Sequence, residues 1–127
     1  MAQRPFLGLR TAIYPVDSIP QAKAWYSSVF RAEPYFDEPF YVGFDIGGYE
    51  LGLQPTEGEN RPGSGGGVAY WGVEDADAAL ARLLELGAVK RGDVQDVGGG
   101  IRVATVEDPF GNVLGIIENP HFGGEHP

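Results

Sequence analysis

The second half of this chain restates the first. Phe110-Gly111-Asn112-Val113-Leu114-Gly115-Ile116 repeats the pattern of Gly47-Gly48-Tyr49-Glu50-Leu51-Gly52-Leu53, aligning Gly48 with Gly111, Leu51 with Leu114 and Gly52 with Gly115. Upstream, Val16-Asp17-Ser18 opens an Ala-rich amphipathic stretch and Val73-Glu74-Asp75 opens another. A repeated supersecondary unit buries its apolar face against its twin, so the repeat constrains the architecture before any single element is assigned. The 127 residues fit one domain, and 43% hydrophobic with 12% aromatic residues supply a core that two half-length units would share.

Composition removes several function classes. A formal net charge of -9, with nine scattered basic residues, argues against nucleic acid as a partner, because that binding rests on clustered Lys and Arg. No cysteine is present, which excludes disulfides, thiolate nucleophiles and thiolate metal sites. Met1-Ala2-Gln3-Arg4-Pro5 leads into strand-like sequence without a long apolar run, so the expectation is a cytoplasmic protein with no signal peptide and no membrane partner.

The pattern predicts a strand over 8–15 ended by Pro15, then a helix over 19–31 capped by Asp17 or Ser18. Ile19, Ala22, Tyr26, Val29 and Phe30 recur at helical spacing. Strands follow near 34–37, 40–46 and 49–55, the last two joined at Gly47-Gly48. Residues 56–67 hold six glycines and prolines and read as a connector. The second half predicts a strand at 68–73 and a helix capped by Asp75, with Ala76, Ala79, Leu80, Leu83 and Leu84 on one face and Gly87 at its stop. Strands near 88–95, 101–107 and 112–118 complete it, with Asp108-Pro109-Phe110-Gly111 as a turn.

A tandem βαβββ chain of this length resembles the vicinal oxygen chelate superfamily of glyoxalases, fosfomycin- and bleomycin-resistance proteins and extradiol dioxygenases. Three signatures carry the resemblance: Val16-Asp17 before a helix with Trp25-Tyr26, Val73-Glu74-Asp75, and Asp108-Pro109-Phe110-Gly111-Asn112. The resemblance implies an α+β fold, two tandem βαβββ modules whose curled mixed sheets surround a cavity with the helices outside. It spans a single domain, 1–127, with a first module at 8–55, a linker at 56–67, a second module at 68–118 and a tail at 119–127. It further implies a homodimer and a small-molecule ligand.

The superfamily's usual chemistry uses a divalent metal held by His and Glu. The first ligand lies seven residues before the Asp that starts the first helix, and counting from Asp17 gives Arg10. The His opening the fifth strand falls at Val68, the Glu after the Asp-Pro-x-Gly turn at Gly115, and its counterpart in the first half at Gly52. Arg, Val and Gly are not metal ligands. The expectation is therefore no metal and no cofactor. Glu118, three residues beyond Gly115, faces the opposite side by strand alternation, and His121 and His126 lie in the tail.

Extending the same register gives the cavity face as Arg10, Ala12 and Tyr14; Glu50, Gly52 and Gln54; Val68, Tyr70 and Gly72; and Val113, Gly115 and Ile117. Ile13, Leu51, Leu53, Trp71, Leu114 and Ile116 would form core beneath the helices. The candidate substrate-binding residues are thus Arg10, Tyr14, Glu50, Gln54 and Tyr70. Arg10 suits a carboxylate or phosphate, or pairs with Glu50 inside the barrel. Glu50 is the candidate general base, and Tyr14 and Tyr70 either stack on a ligand or fill the cup. Arg102 is a candidate rim contact, whereas Gly63-Ser64-Gly65 lacks the elbow of a nucleophilic serine. The expected function is metal-independent small-molecule binding, with a glyoxalase-like lyase or isomerase as the alternative.

Overall fold

The computed structural model describes residues 9–58, 60–63 and 68–120. His121, His126 and Ser64 lie outside the described residues, as does the expected strand start at residue 8. The described residues form an α+β fold of two helices and nine strands in two mixed sheets, and the chain divides into two compact units, Met1–Arg61 and Pro62–Pro127.

The first unit comprises β1 (Thr11–Val16), α1 (Ile19–Phe30), β2 (Phe36–Glu38), β3 (Tyr41–Ile46) and β4 (Tyr49–Pro55), with sheet order β1-β4-β3-β2. β1 runs parallel to β4, and the remaining pairs are antiparallel. Pro15 does not end β1, which continues to Val16. β1 is the end strand of its sheet, where a missing N–H costs no ladder bond on the outer side. Gly47 and Gly48 join β3 to β4 with φ of 63° and 92°, the two positive φ values that a tight hairpin turn demands.

The cap of α1 corrects the strand phase. Ser18, not Asp17, is the N-cap, its hydroxyl accepting the Gln21 N–H at 3.3 Å. Counting back from Asp17 therefore misplaces every β1 side chain by one residue, and a slip of one reverses the face. In the ladder Thr11, Ile13 and Pro15 stand beside Glu50, Gly52 and Gln54, while Ala12, Tyr14 and Val16 stand beside Leu51, Leu53 and Pro55. Tyr14 is buried beneath α1, its ring 6.0 Å from that of Tyr26, and Ile13 is 44% exposed instead of core. Tyr26, fully buried, also stacks on Phe30, which reaches Phe44 of β3, so aromatic packing ties α1 to its sheet.

The second unit comprises β5 (Tyr70–Gly72), α2 (Ala76–Glu85), β6 (Val89–Lys90), β7 (Gln95–Asp96), β8 (Arg102–Glu107) and β9 (Val113–Glu118). β5, β9, β8 and β6 are neighbours in that order, and β7 also pairs with β8. The expected strand over 88–95 is thus two short strands, because after the Arg91 N–H, which still reaches the Thr105 carbonyl at 3.2 Å, residues 92–94 leave the ladder. Here the expected phase holds: Tyr70 and Gly72 pair with Gly115 and Ile117, and Trp71 pairs with Ile116. Asp75 caps α2 through the Ala78 N–H at 3.1 Å, and Gly87, at φ 106°, follows it. The Ala88 N–H returns to the Leu83 carbonyl and the Gly87 N–H to Leu84, closing the helix end. Asp108, 2% exposed, accepts the Phe110 and Asn112 amides and so organises the turn before β9.

α1 ends less comfortably. Arg31 is its C-cap at φ 53° and ψ 48°, a left-handed conformation that costs a residue with a Cβ roughly 1 kcal/mol relative to glycine. Arg31 is exposed and the helix ends with the Arg31 N–H on the Ser27 carbonyl, which glycine preserves. Arg31→Gly is expected to stabilise the protein by about 0.5–1 kcal/mol in chemical denaturation; an unchanged or lowered midpoint would contradict this.

Candidate functional site

Pairing of the strands leaves two glycines opposite each other on the open face of the first sheet. Gly43 of β3 faces Gly52 of β4, and neither carries a side chain to fill the surface. Tyr35 lies over Gly43, its Cε1 3.3 Å from the position a Cβ would take, while a Cβ on Gly52 would fall on the Tyr41 hydroxyl. Both phenols donate to Glu50, Tyr35 to Oε1 and Tyr41 to Oε2. The Thr11 hydroxyl donates to Oε2 at 3.1 Å. The glycine floor thus lets two tyrosines lie close enough to the sheet for three hydroxyls to converge on one carboxylate.

An open cleft of 370 Å³ adjoins this network, lined by Arg10, Thr11, Tyr35, Asp45, Gly48, Tyr49 and Glu50. Asp45 stands directly across the β3–β4 ladder from Glu50, and its Oδ1 accepts the Gly48 N–H at 2.9 Å. The residues expected from sequence are divided among several places. Arg10 and Glu50 meet in the cleft, although it is hydroxyls that hold Glu50, and Arg10 directs Nη1 to the Leu9 carbonyl at 3.4 Å. Gln54 shares the open face and accepts from Asn60 Nδ2 at 2.8 Å. Tyr14 is beneath α1, and Tyr70, 47% exposed, belongs to the second unit, where it lies on Gly115.

Arg102 is not a rim contact. It pairs with Asp77 of α2 at 2.8 Å and with Glu118 at 3.7 Å, and Glu118 accepts the Ala76 N–H at 2.8 Å. Both side chains therefore anchor the start of α2 on the helix side of β8 and β9. Thr11, Tyr35, Tyr41, Asp45 and Tyr49 were not among the residues expected from sequence. The signal was the run Tyr35-Phe36-Asp37-Glu38-Pro39-Phe40-Tyr41, in which aromatic residues flank acidic ones.

The network sets protonation. Hydrogen bonds from Tyr35 and then Tyr41 hold the Glu50 carboxyl below its usual range despite partial desolvation. The same bond to Glu50, followed by desolvation, pushes the Tyr35 phenol up to about 12, and desolvation with the Glu50 bond raises Tyr41. A lowered carboxyl contributes stability above the ordinary carboxylate range and loses it as pH falls through the folded pKa. A raised phenol contributes below its ordinary value of 10.0 and loses that contribution as pH rises toward about 12.

A profile of the Glyoxalase/Bleomycin resistance protein/Dioxygenase superfamily matches residues 8–116. The chain belongs to this superfamily. CadI, a cadmium-induced protein of Mycobacterium tuberculosis and Mycobacterium bovis, is 36% identical over 84 residues, 62% of this chain and 53% of CadI. The chain thus spans about half the length of these curated relatives. A glyoxalase-related enzyme from Fulvimarina pelagi has the same fold, with a TM-score of 0.76 at 17% identity over 96% of both chains. A glyoxalase/bleomycin resistance protein from Catenulispora acidiphila is 28% identical with a TM-score of 0.65, covering 89% of this chain and 100% of its own.

The divalent metal that superfamily membership implies does not fit the residues present. With the helix cap at Ser18, the first ligand position moves from Arg10 to Thr11, whose hydroxyl is committed to Glu50. Gly52 is covered by Tyr41. A Cβ on Gly115 would lie 2.7 Å from Tyr70 Cδ1 and 2.9 Å from the Ala69 carbonyl, so neither glycine position admits a glutamate without displacement. Val68 offers only hydrocarbon, and among the described residues no three His, Cys, Asp or Glu side chains converge.

Two outcomes test this geometry. In a phenolate absorbance titration Tyr35 is expected to ionise near 12, and Glu50→Gln to bring that step back toward 10.0; a wild-type curve identical to the variant's would contradict it. Gly115→Ala meets backbone and is expected to cost about 1–3 kcal/mol, whereas Gly52→Ala meets a ring that swings aside and costs less. Equal losses in thermal denaturation, or the reverse order, would count against these placements.

Proposed function

We propose that this protein is a metal-independent small-molecule binding protein of the glyoxalase/bleomycin-resistance type, with its ligand held in the Glu50 cleft of the first unit. One observation carries this reading: the Glu50 carboxylate is fixed by the hydroxyls of Thr11, Tyr35 and Tyr41 above the Gly43–Gly52 floor. A general acid or base works best with a pKa near the operating pH. Here the carboxyl is driven down and the Tyr35 phenol up, away from neutrality on both sides. Such a pair presents a fixed charge and fixed donors, which suits recognition better than proton transfer. Glyoxalase-type chemistry would also need an electrophile in place of the metal, worth several kcal/mol of transition-state stabilisation.

Superfamily members commonly bind small molecules and form dimers. We extend both properties to this chain, as a homodimer in the cytoplasm; no helix among the described residues is long and apolar enough to cross a membrane. Elemental analysis of the purified protein, followed by thermal shifts with nickel, zinc, manganese, iron and cadmium, tests metal independence. Substoichiometric metal and no saturable shift are expected. One equivalent of bound metal per chain, with a matching rise in melting temperature, would overturn the reading.

A further inference from the structure

The sign of the cleft is set by two carboxylates facing each other. Asp45 and Glu50 occupy directly opposed positions of the β3–β4 ladder, where side chains stand about 5 Å apart and like charges are unfavourable. Among the described residues no Lys or Arg forms an ion pair with either. Thr11, Tyr35 and Tyr41 neutralise no charge, since they donate as hydroxyls. Arg10 is in the lining, one positive group against two negative ones.

Among the described residues, acceptor capacity remains at both carboxylates: there Oε1 of Glu50 accepts from Tyr35 and Oδ1 of Asp45 from the Gly48 amide, one donor each. Each oxygen has two lone pairs, so a further donor can be taken at each without breaking the network. Aromatic groups complete the surroundings. Tyr35 and Tyr49 line the cleft, and Phe36, paired with Gly43 and therefore on the same face, leads to Phe40 at 6.1 Å. Phe36 and Phe40 are 39% and 64% exposed, an apolar shelf beside a concentrated negative charge.

We propose that the Asp45–Glu50 cleft takes an organic ammonium, a protonated amine on an apolar skeleton, with its charge at the two carboxylates and its skeleton along Phe36 and Phe40. The ammonium supplies donors for the remaining acceptor capacity and relieves the opposed charges, beside the Tyr35 ring, whose face attracts a cation. This rests on the reading of the cleft as a small-molecule site and names the class of molecule.

Three probes of one shape separate charge from shape: phenethylammonium, phenylacetate and 2-phenylethanol, each titrated against isotope-labelled full-length protein while amide shifts are followed. Phenethylammonium is expected to saturate with a dissociation constant of about 0.1–10 mM, as its size allows, moving the Gly48, Tyr49 and Glu50 amides. Glu50→Gln and Asp45→Asn are each expected to weaken it about tenfold, the usual effect of losing one charge-assisted contact. Asp45→Asn keeps an oxygen for the Gly48 amide, so the hairpin survives even if Glu50→Gln disturbs the fold. Tighter binding of phenylacetate, equal binding of all three, no binding of any, or undiminished binding by Asp45→Asn would each overturn the proposal. A preference for phenylacetate would do so while leaving metal-free binding intact. Stoichiometric metal would sink that broader reading without deciding the preference for a cation.

Discussion

A carboxylate on a half-buried sheet face must be given hydrogen bonds, and in the first unit the demands of Glu50 organise everything around it. Thr11 comes from the neighbouring strand in parallel register. Tyr35 and Tyr41 come from either side of β2, and they reach the carboxylate because Gly43 and Gly52 leave the sheet bare beneath them. The Ser18 cap contributes as well: by setting where α1 begins, it puts Thr11 on this face and sends Tyr14 into the aromatic packing under the helix. The helix-side core of Val16, Phe44, Leu51 and Leu53 then holds the strands in that phase.

The second unit follows the same plan, and its open face carries Glu107, across the ladder from Val113. Gly115 repeats Gly52 and is likewise covered by a tyrosine, but Val113 stands where the repeat carries Glu50. A second carboxylate, Glu118, lies on the opposite face, where it and Arg102 fasten the start of α2. Two copies of one design have diverged, one toward a polar cleft and one toward a structural latch.

The repeat, the two capped helices and both glycine-bearing hairpins were legible because each rests on local chemistry: periodicity, a capping side chain, a positive φ. The phase of β9 was legible too, since Asp75 is an unambiguous cap and Asp108-Pro109-Phe110-Gly111 a distinctive turn. β1 was misread because Asp17 and Ser18 both satisfy the preference for an N-cap, and only the hydrogen bond to Gln21 decides between them. The strand over 88–95 divided because short edge pairing follows tertiary contacts with β8, which no local pattern encodes. Glu50 was found by register, but its partners Tyr35 and Tyr41 were not. They reach it through a hairpin whose side-chain directions depend on two glycines being opposite each other.

That glycine pair separates what holds the fold from what shapes the site. Because Gly43 and Gly52 offer only backbone, what covers them, Tyr35 and Tyr41, comes from one aromatic segment that rests on the sheet. Exchanges at Phe36 or Phe40 would alter the apolar border of the cleft while the packed helix side, facing away, stays as it is. Selection for a new ligand then has a surface to work on that is nearly decoupled from the requirement to fold.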